Sequence, residues 1–194
     1  MAGPKTPGKV RITAGTFKNR PLAVPDGNSV RPTSDRARQA LFNRLEHSFQ
    51  DIGFKLRGAR VLDLFAGTGA LGLDALSRGA AYVTFVERSH SSLDVLKRNI
   101  ATLGVDDKVN VLATDASALP AAAQPVDLAL LDPPYGQGLA KSTLITLVDK
   151  GWLTDTAVII VETAATETLT APDGLEIEDV RSYGRGALTY LVRS

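Results

Sequence analysis

The stretch Arg60-Val-Leu-Asp-Leu-Phe-Ala-Gly-Thr-Gly-Ala-Leu-Gly72 predicts a buried strand over 61–64, a glycine loop, and a helix that begins at Ala70. Gly67 and Gly69 allow positive φ angles and let a ligand approach the backbone with no Cβ in the way. The spacing Gly67-x-Gly-x-x-Gly72 also fits an NAD-binding fingerprint. The loop therefore indicates a nucleotide-like ligand without distinguishing between ligand classes.

The chain around this stretch alternates short apolar runs with helical patterns. We expect strands at 61–64, 82–86, 109–113, 126–131 and 157–161, helices at 70–78, 92–103 and 140–150, and a short alanine-rich helix cut by Pro120. Such alternation predicts parallel strands with right-handed crossovers. Residues 175–181 and 187–192 flank Gly184-Arg-Gly186 and predict an antiparallel hairpin. The predicted fold is α/β: a Rossmann-like, seven-stranded, mostly parallel sheet with a C-terminal antiparallel hairpin, as in class I S-adenosylmethionine-dependent methyltransferases.

Charge is distributed unevenly along the chain. Residues 1–60 hold 12 Lys/Arg and 4 Asp/Glu, whereas the remaining 134 residues hold 10 and 17, within a net charge of +1. A basic segment joined to an acidic body predicts a polyanion-binding front end, although a solvated helix face plus a loose tail would give the same count. We divide the chain into a disordered tail (1–9), a basic RNA-binding extension (10–58) and a methyltransferase domain (59–194).

The extension is predicted to form a small hairpin followed by a helix. Val10 to Ala14 and Arg20 to Val24 form short strands around a turn, and Arg31-Pro-Thr-Ser-Asp35 signals a helix start with Thr33 or Ser34 as N-cap. One apolar stripe on this helix comprises Ala37, Leu41, Leu45 and Phe49. The candidate RNA contacts are Arg11, Lys18, Arg20, Arg31, Thr33, Arg36 and Arg38.

The composition, 44% apolar and 22% charged, is ordinary for a globular protein. The sequence contains no run of membrane-spanning length and no signal-peptide core, so we expect a cytoplasmic location without membrane contact. There is no cysteine, and His47 and His90 have no partners at ligand spacing, so we expect no metal. A monomer is the default expectation.

Four acidic residues follow or end the predicted strands: Asp63, Glu87, Asp115 and Asp132. Ligands of open α/β sheets bind at the carboxyl ends of strands. Glu87 is placed to accept both ribose hydroxyls, or else to complement the dipole of the next helix. Asp115 is placed to accept from an adenine amino group beside the Ala116 N–H, or else to cap a short helix, and Asp63 would lie beside the amino group of a methionyl moiety. The predicted cofactor site comprises Asp63, Phe65, Gly67, Thr68, Gly69, Glu87, Arg88, Asp115, Ala116 and Asp132.

Asp132-Pro-Pro-Tyr135 is the most specific signal in the chain. The lone pair of an exocyclic base amine is delocalised into the ring, so the amine must be held while its nitrogen rehybridises. The Asp132 carboxylate and the Pro133 carbonyl would accept its two N–H groups, and consecutive prolines would stiffen the loop. Tyr135 would stack on the flipped base. We therefore predict Asp132, Pro133, Pro134 and Tyr135 as catalytic residues.

Together these motifs resemble the bacterial small-subunit ribosomal RNA guanine-N2 methyltransferases of the D type, which modify guanine 966 of 16S rRNA. The resemblance runs from about Val10 to Val192, and its most particular part is Arg31-Pro-Thr-Ser-Asp-Arg-Ala-Arg-Gln-Ala-Leu-Phe-Asn43. It implies S-adenosylmethionine as donor, no metal, and 16S rRNA as substrate, either naked or within an assembled small subunit. It also implies that Arg31, Thr33 and Arg36 lie beside the pocket.

Other functions share parts of these motifs. An adenine-N6 DNA methyltransferase would use the same Asp-Pro-Pro-Tyr sequence, although the chain has no sizeable domain for recognising a DNA target. A protein glutamine methyltransferase usually has Asn in place of Asp132. A nicotinamide-dependent reductase would leave Pro133 to Tyr135 unexplained, and a non-catalytic RNA-binding module would not need four carboxylates at strand ends.

Overall fold

A computed structural model describes residues 10–25 and 35–194. Its helices are α1 (Asp35–His47), α2 (Ala70–Ser77), α3 (His90–Leu103) and α4 (Leu139–Asp149). Its strands are β1 (Arg60–Leu64), β2 (Tyr82–Val86), β3 (Val109–Leu112), β4 (Val126–Leu131), β5 (Leu153–Ala164), β6 (Leu175–Tyr183) and β7 (Gly186–Arg193).

The seven strands form one sheet in the order β3-β2-β1-β4-β5-β7-β6. Strands β1 to β5 are parallel, and β7 lies antiparallel between β5 and β6. The predicted class I methyltransferase topology is therefore confirmed. Because β1 is flanked by β2 on one side and β4 on the other, the chain reverses direction across the sheet there, which is where open α/β sheets bind ligands.

Side chains alternate between two apolar layers along the central strands, as the period of two in a strand requires. Val61 of β1 packs in the layer that contains residues of α1, α2 and α3, whereas Leu62 and Leu64 pack in the layer that contains α4. Both layers are closed to water, which explains why the parallel strands are continuous apolar runs.

The N-terminal segment pairs with itself as predicted, but more weakly than two strands would. Arg11 and Pro21 form a single antiparallel bridge, with the Leu22 N–H donating to the Val10 carbonyl at 2.8 Å. The Ile12 N–H donates to the Arg20 carbonyl at 3.0 Å on the other side of this bridge, so the missing N–H of Pro21 does not interrupt the pairing. Ile12 and Leu22 are buried in the same layer as α1, which fixes this segment against the sheet domain.

Helix α1 is held at its N-terminal end by a buried charge cluster. Arg38, which is 1% exposed, donates to Asp35 at 2.7 Å and has its Nε 3.4 Å from Asp74 of α2. Asp74, itself fully buried, also accepts from Thr13 and from Arg78. The expectation that Arg38 contacts RNA does not fit this burial, because its guanidinium is used inside the protein to dock the helix.

The C-terminal end of α1 docks on the terminal hairpin. The Arg44 guanidinium lies 4.9 Å from the ring centre of Tyr190 in β7 and 3.0 Å from the Asp179 carboxylate in β6. Phe49, predicted as the last residue of the helical stripe, lies beyond the end of the helix but is buried and stacks on Tyr190. Helix α1 therefore bridges α2 and the β6–β7 hairpin.

Two further predicted elements differ clearly from the structure. The alanine-rich helix is reduced to one 3-10 turn at Ala116–Ala118, because Pro120 and Pro125 leave too little chain for an α-helix. Strand β5 extends well beyond the predicted 157–161, since β7 continues its pairing as far as Ala164. Within 10–25 and 35–194, no helix combines the length and apolar character needed to span a membrane.

Candidate functional site

Acidic side chains form a row along the carboxyl edge of the sheet. Following the strand order, they are Asp115 after β3, Glu87 after β2, Asp63 in β1 and Asp132 after β4, and the row continues with Glu162 in β5. The structure therefore brings the four predicted carboxylates to one edge.

The glycine loop between β1 and α2 is bent by three unusual backbone conformations close together. Phe65, Gly67 and Gly69 have φ angles of 59°, 54° and 79°. A Cβ on Gly69 would lie 2.4 Å from Leu96 of α3, so both its conformation and its packing require glycine. Phe65 has no such freedom, and its positive φ is the kind of local strain that concentrates at ligand sites.

Asp63 lies beneath this loop and is 1% exposed. Its carboxylate accepts the Gly72 N–H at 2.8 Å, which fastens the first turn of α2 to β1. Burial raises the pKa of Asp63 well above its ordinary value, and the charges of Asp132 and Glu87 add to this rise. The carboxyl groups of Asp63, Glu87 and Asp132 therefore lie close enough to repel one another, and a cationic ligand group bound among them would reduce that repulsion.

Glu87 joins the loop to the start of α3. Its Oε2 accepts the Gly67 N–H at 2.8 Å, and its Oε1 accepts the N–H groups of Arg88 and Ser89 at 2.9 and 2.7 Å. The alternative role for Glu87, as an acid at a helix N-terminus, is thus present in the structure. Each carboxylate oxygen has two lone pairs, so Oε2 can still accept a ligand hydroxyl.

Asp115 caps the 3-10 turn, which was also its alternative role. Its Oδ1 accepts the Ser117 N–H at 2.9 Å and the Ser117 hydroxyl at 2.7 Å, and its Oδ2 accepts from Arg88 at 2.7 Å. The bonds from Ser117, followed by Arg88, lower the pKa of Asp115. The next residue, Ala116, is buried.

Asn99 of α3 was not among the predicted site residues, yet it supports the loop. Its Nδ2 donates to the Thr68 carbonyl at 2.9 Å, while its Oδ1 accepts the Ala23 N–H at 2.8 Å. The N-terminal segment and the glycine loop are therefore fastened to the same buried amide. In sequence, Asn99 stands beside inward-facing residues of an amphipathic helix, and a polar residue at that position was the available signal.

A cavity of about 1000 Å³ opens beside Asp132. Among the described residues, its walls come from four parts of the chain: Arg36, Ala37 and Ala40 of α1, residues 132–135, Glu162 of β5, and residues 182–188 of the terminal hairpin. Trp152, in contrast, is buried and donates to the Pro120 carbonyl at 2.9 Å, so it is a packing residue rather than part of the cavity wall.

Asp132 stands where the acidic row meets this cavity. Burial, followed by the charge of Glu162, raises its pKa from 3.8 to about 7. Pro133 is buried, whereas Tyr135 is 39% exposed and its hydroxyl donates to Glu162 Oε1 at 3.0 Å. The predicted Asp-Pro-Pro-Tyr segment therefore presents a carboxylate and an aromatic ring to one cavity.

The predicted RNA contacts lie in several environments. Arg11, Lys18 and Arg20 are exposed, and Arg36 is exposed and lines both the main cavity and a second one of about 380 Å³. Arg31 and Thr33 lie outside the described residues. Tyr183 and Arg185 of the terminal hairpin turn also line the main cavity. Within the described chain, no cluster of three or more His, Cys, Asp or Glu has the geometry of a metal site.

Known proteins resemble this chain over most of its length. The family model described as conserved hypothetical protein 95 matches residues 10–192. The ribosomal RNA small subunit methyltransferase D of Escherichia coli K12 is 41% identical over 155 residues, which are 80% of this chain and 75% of that protein. The protein of the same name from Haemophilus influenzae is 35% identical over 174 residues, covering 88% and 86% of the two chains.

Solved structures agree with this similarity. That of yhhF from Escherichia coli superposes with a TM-score of 0.83 at 36% identity and covers 96% of this chain and 98% of its own. That of a hypothetical protein from Thermus thermophilus gives a TM-score of 0.75 at 29% identity, covering 95% and 99% of the two chains. The similarity therefore includes the segments that build both the glycine loop and the cavity.

Proposed function

This chain belongs to the family of the ribosomal RNA small subunit methyltransferase D proteins, and from that membership we propose that it transfers a methyl group from S-adenosylmethionine to the exocyclic N2 of a guanine in 16S rRNA. By the resemblance of its motifs, the target is guanine 966. The observation that carries the proposal is the position of Asp132, between the acidic row under the glycine loop and a cavity large enough for a flipped base.

The backbone conformation of the glycine loop and the charge around it support S-adenosylmethionine as the donor. The loop at Gly67 and Gly69 leaves the backbone open to a ligand, and the carboxylates of Glu87 and Asp132 lie close enough to Asp63 to raise its pKa. Such a row favours a ligand carrying ammonium and sulfonium groups, whereas a pyrophosphate would be repelled. This charge pattern disfavours the nicotinamide-dependent alternative.

When bound, S-adenosylmethionine supplies an electrophilic methyl group. Glu87 would hold the ribose, Asp115 and the Ala116 N–H the adenine, and Asp63 the methionyl amino group. The Phe65–Gly69 turn would give the donor its backbone contacts, and the exposed Arg88 would close over it through its bond with Asp115.

The chain's own residues would prepare the acceptor amine. The Asp132 carboxylate and the Pro133 carbonyl accept its two N–H groups, so that its lone pair turns away from the ring. Tyr135 offers its exposed ring for stacking on the base. The nitrogen loses its proton after it has gained the methyl group, so a strong base is unnecessary.

The test is a tritiated methyl-transfer assay on small ribosomal subunits, and on naked 16S RNA, from a strain lacking the gene. We expect N2-methylguanosine at one site after nucleoside digestion. N6-methyladenosine instead would favour the adenine-N6 alternative, and no transfer together with tight RNA binding would favour a non-catalytic module.

A further inference from the structure

Glu162 lies in the same cavity as the catalytic segment, although its sequence position drew no prediction. In the parallel pair β4–β5, Leu131 is opposite Val161, so the following residues, Asp132 and Glu162, extend side by side along the same face. Adjacent strands are about 4.8 Å apart, and the charge of Glu162 reaches Asp132 strongly enough to raise its pKa. The cavity therefore contains two neighbouring carboxyl groups, of which amine positioning uses one.

The Glu162 side chain is held in place rather than loosely exposed. Its Oε1 accepts the Tyr135 hydroxyl at 3.0 Å. A Cβ on Gly186 of β7 would lie 3.3 Å from that hydroxyl and 3.4 Å from Glu162 Oε1. Gly186 has no positive φ, so the missing side chain leaves room for the Tyr135–Glu162 pair rather than relieving backbone strain.

Two adjacent carboxylates match the edge of guanine and conflict with that of adenine. Guanine presents N1–H beside its N2 amino group, so its edge offers consecutive donors. Adenine presents the N1 lone pair beside its N6 amino group, which would face a carboxylate with no proton between them. A buried acceptor placed opposite an acceptor is a strong basis for rejection.

Resting on the proposed function, we propose that Glu162 determines the specificity for guanine by accepting its N1–H while Asp132 accepts an N–H of the N2 amine. Tyr135 then has two roles: its ring stacks on the base, and its hydroxyl orients the Glu162 carboxylate. Arg36 and Arg185, exposed at the cavity, are left to contact the RNA backbone.

The experiment compares guanine with 2,6-diaminopurine, which has the same N2 amine but a lone pair at N1. Small subunits reconstituted from ligated 16S RNA carry one or the other base at the target site, and kcat/KM for N2 methylation is measured on each. We expect the wild type to prefer guanine by about 100-fold, and Glu162→Gln to reduce that preference to about tenfold or less, because a carboxamide can either donate or accept. The two bases also differ at position 6, where 2,6-diaminopurine has an amino group instead of O6. This difference affects the wild type and Glu162→Gln alike, so it cancels in the ratio of their preferences.

Glu178→Gln is the matched control, since Glu178 is exposed on β6 away from the cavity and should keep the wild-type preference. Tyr135→Phe retains the ring but removes the orienting hydroxyl, and should lower the preference by a smaller factor. A wild-type enzyme that uses both bases equally, or an unchanged preference in Glu162→Gln, would overturn the role of Glu162 while leaving guanine methylation standing. Absence of N2-methylated product from the wild type would overturn the proposed function itself.

Discussion

Asp132 shows what a single carboxyl group contributes to this site. In the proposed reaction Asp132 must be charged to accept an amine N–H well, yet burial and the charge of Glu162 raise its pKa to about 7. In the part of the chain that the structure describes, the other titratable groups at the cavity are Tyr135, Tyr183, Arg36 and Arg185, with Asp63 behind it. The position is therefore destabilising in the absence of donor groups, which is a common property of functional sites.

The raised pKa of Asp132 predicts that the stability of the protein depends on pH. Because its folded-state pKa lies above the ordinary 3.8, the folded protein binds more protons than the unfolded chain between about pH 4 and 7, and stability falls as pH rises through that window. Asp132→Asn removes this loss. Between pH 4 and 8, the free energy of unfolding of the variant should therefore rise by on the order of 1–3 kcal/mol relative to that of the wild type. Urea unfolding at several pH values measures the difference, and a constant difference would mean that the pKa of Asp132 is not raised.

At the scale of the elements, α1 forms one wall of the cavity although it precedes the sheet in the chain. Two sets of contacts hold α1 in place. One is the ion-pair cluster around Asp74 at its N-terminal end, and the other is the contact of Arg44 with Asp179 and Tyr190 at its C-terminal end. The position of Arg36 and Ala37 at the cavity therefore depends on contacts outside the cavity.

Asp74→Asn tests this docking. The change leaves the buried guanidinium groups of Arg38 and Arg78 without their shared carboxylate, and we expect a loss of about 3–5 kcal/mol in the free energy of unfolding. Asp94→Asn, at an exposed position on α3, is the control and should change stability by less than about 0.5 kcal/mol. A loss below about 1 kcal/mol at Asp74 would show that apolar packing alone holds the helix.

The sequence predicts the elements with strong periodicity and misses what depends on tertiary contact. Strands β1, β2 and β4 match their expected ranges, since apolar runs between glycine and proline signals leave little choice. Arg38 was wrongly expected to contact RNA and Glu162 drew no prediction, for a common reason: the partners that bury or orient them, Asp74 and Tyr135, are distant in sequence. The acids at strand ends and the capping role of Asp115 could be recognised, but not the bonds from the Gly67 N–H to Glu87 and from Arg88 to Asp115.

At the scale of the whole molecule, basic and acidic surfaces are separated. The exposed cations Arg11, Lys18 and Arg20 lie on the N-terminal segment. Arg36 lines both the main cavity and the smaller cavity that Arg11 and Lys18 also line, so it lies between these cations and the main cavity. The acidic row lies behind, at the sheet edge. This arrangement suits an RNA whose backbone rests on the extension while one base enters the cavity.

RNA affinity should therefore depend on salt through the extension. Changing Lys18 and Arg20 together to Gln should make log K against log salt less steep by about 1.4, from roughly 0.7 per phosphate contact on single strands. The matched pair Lys97 and Arg98, exposed on α3, should leave the slope unchanged when altered in the same way. Equal slopes for both double variants would place the RNA elsewhere on the surface.

The sheet order has a consequence for biosynthesis. Strand β7 follows β6 along the chain but pairs between β5 and β6, so β5, complete at Ala164, has no partner on that edge until the strand beginning at Gly186 is made. In a newly made chain this edge of β5 stays unpaired until β7 docks on it, and an unpaired strand edge is where pairing with another chain is a hazard. The glycine loop precedes the hairpin in the chain and can fold without it. The cavity cannot, because residues 182–188 of the hairpin form one of its walls. A newly made molecule would thus form its proposed methyl-donor site before its proposed acceptor site.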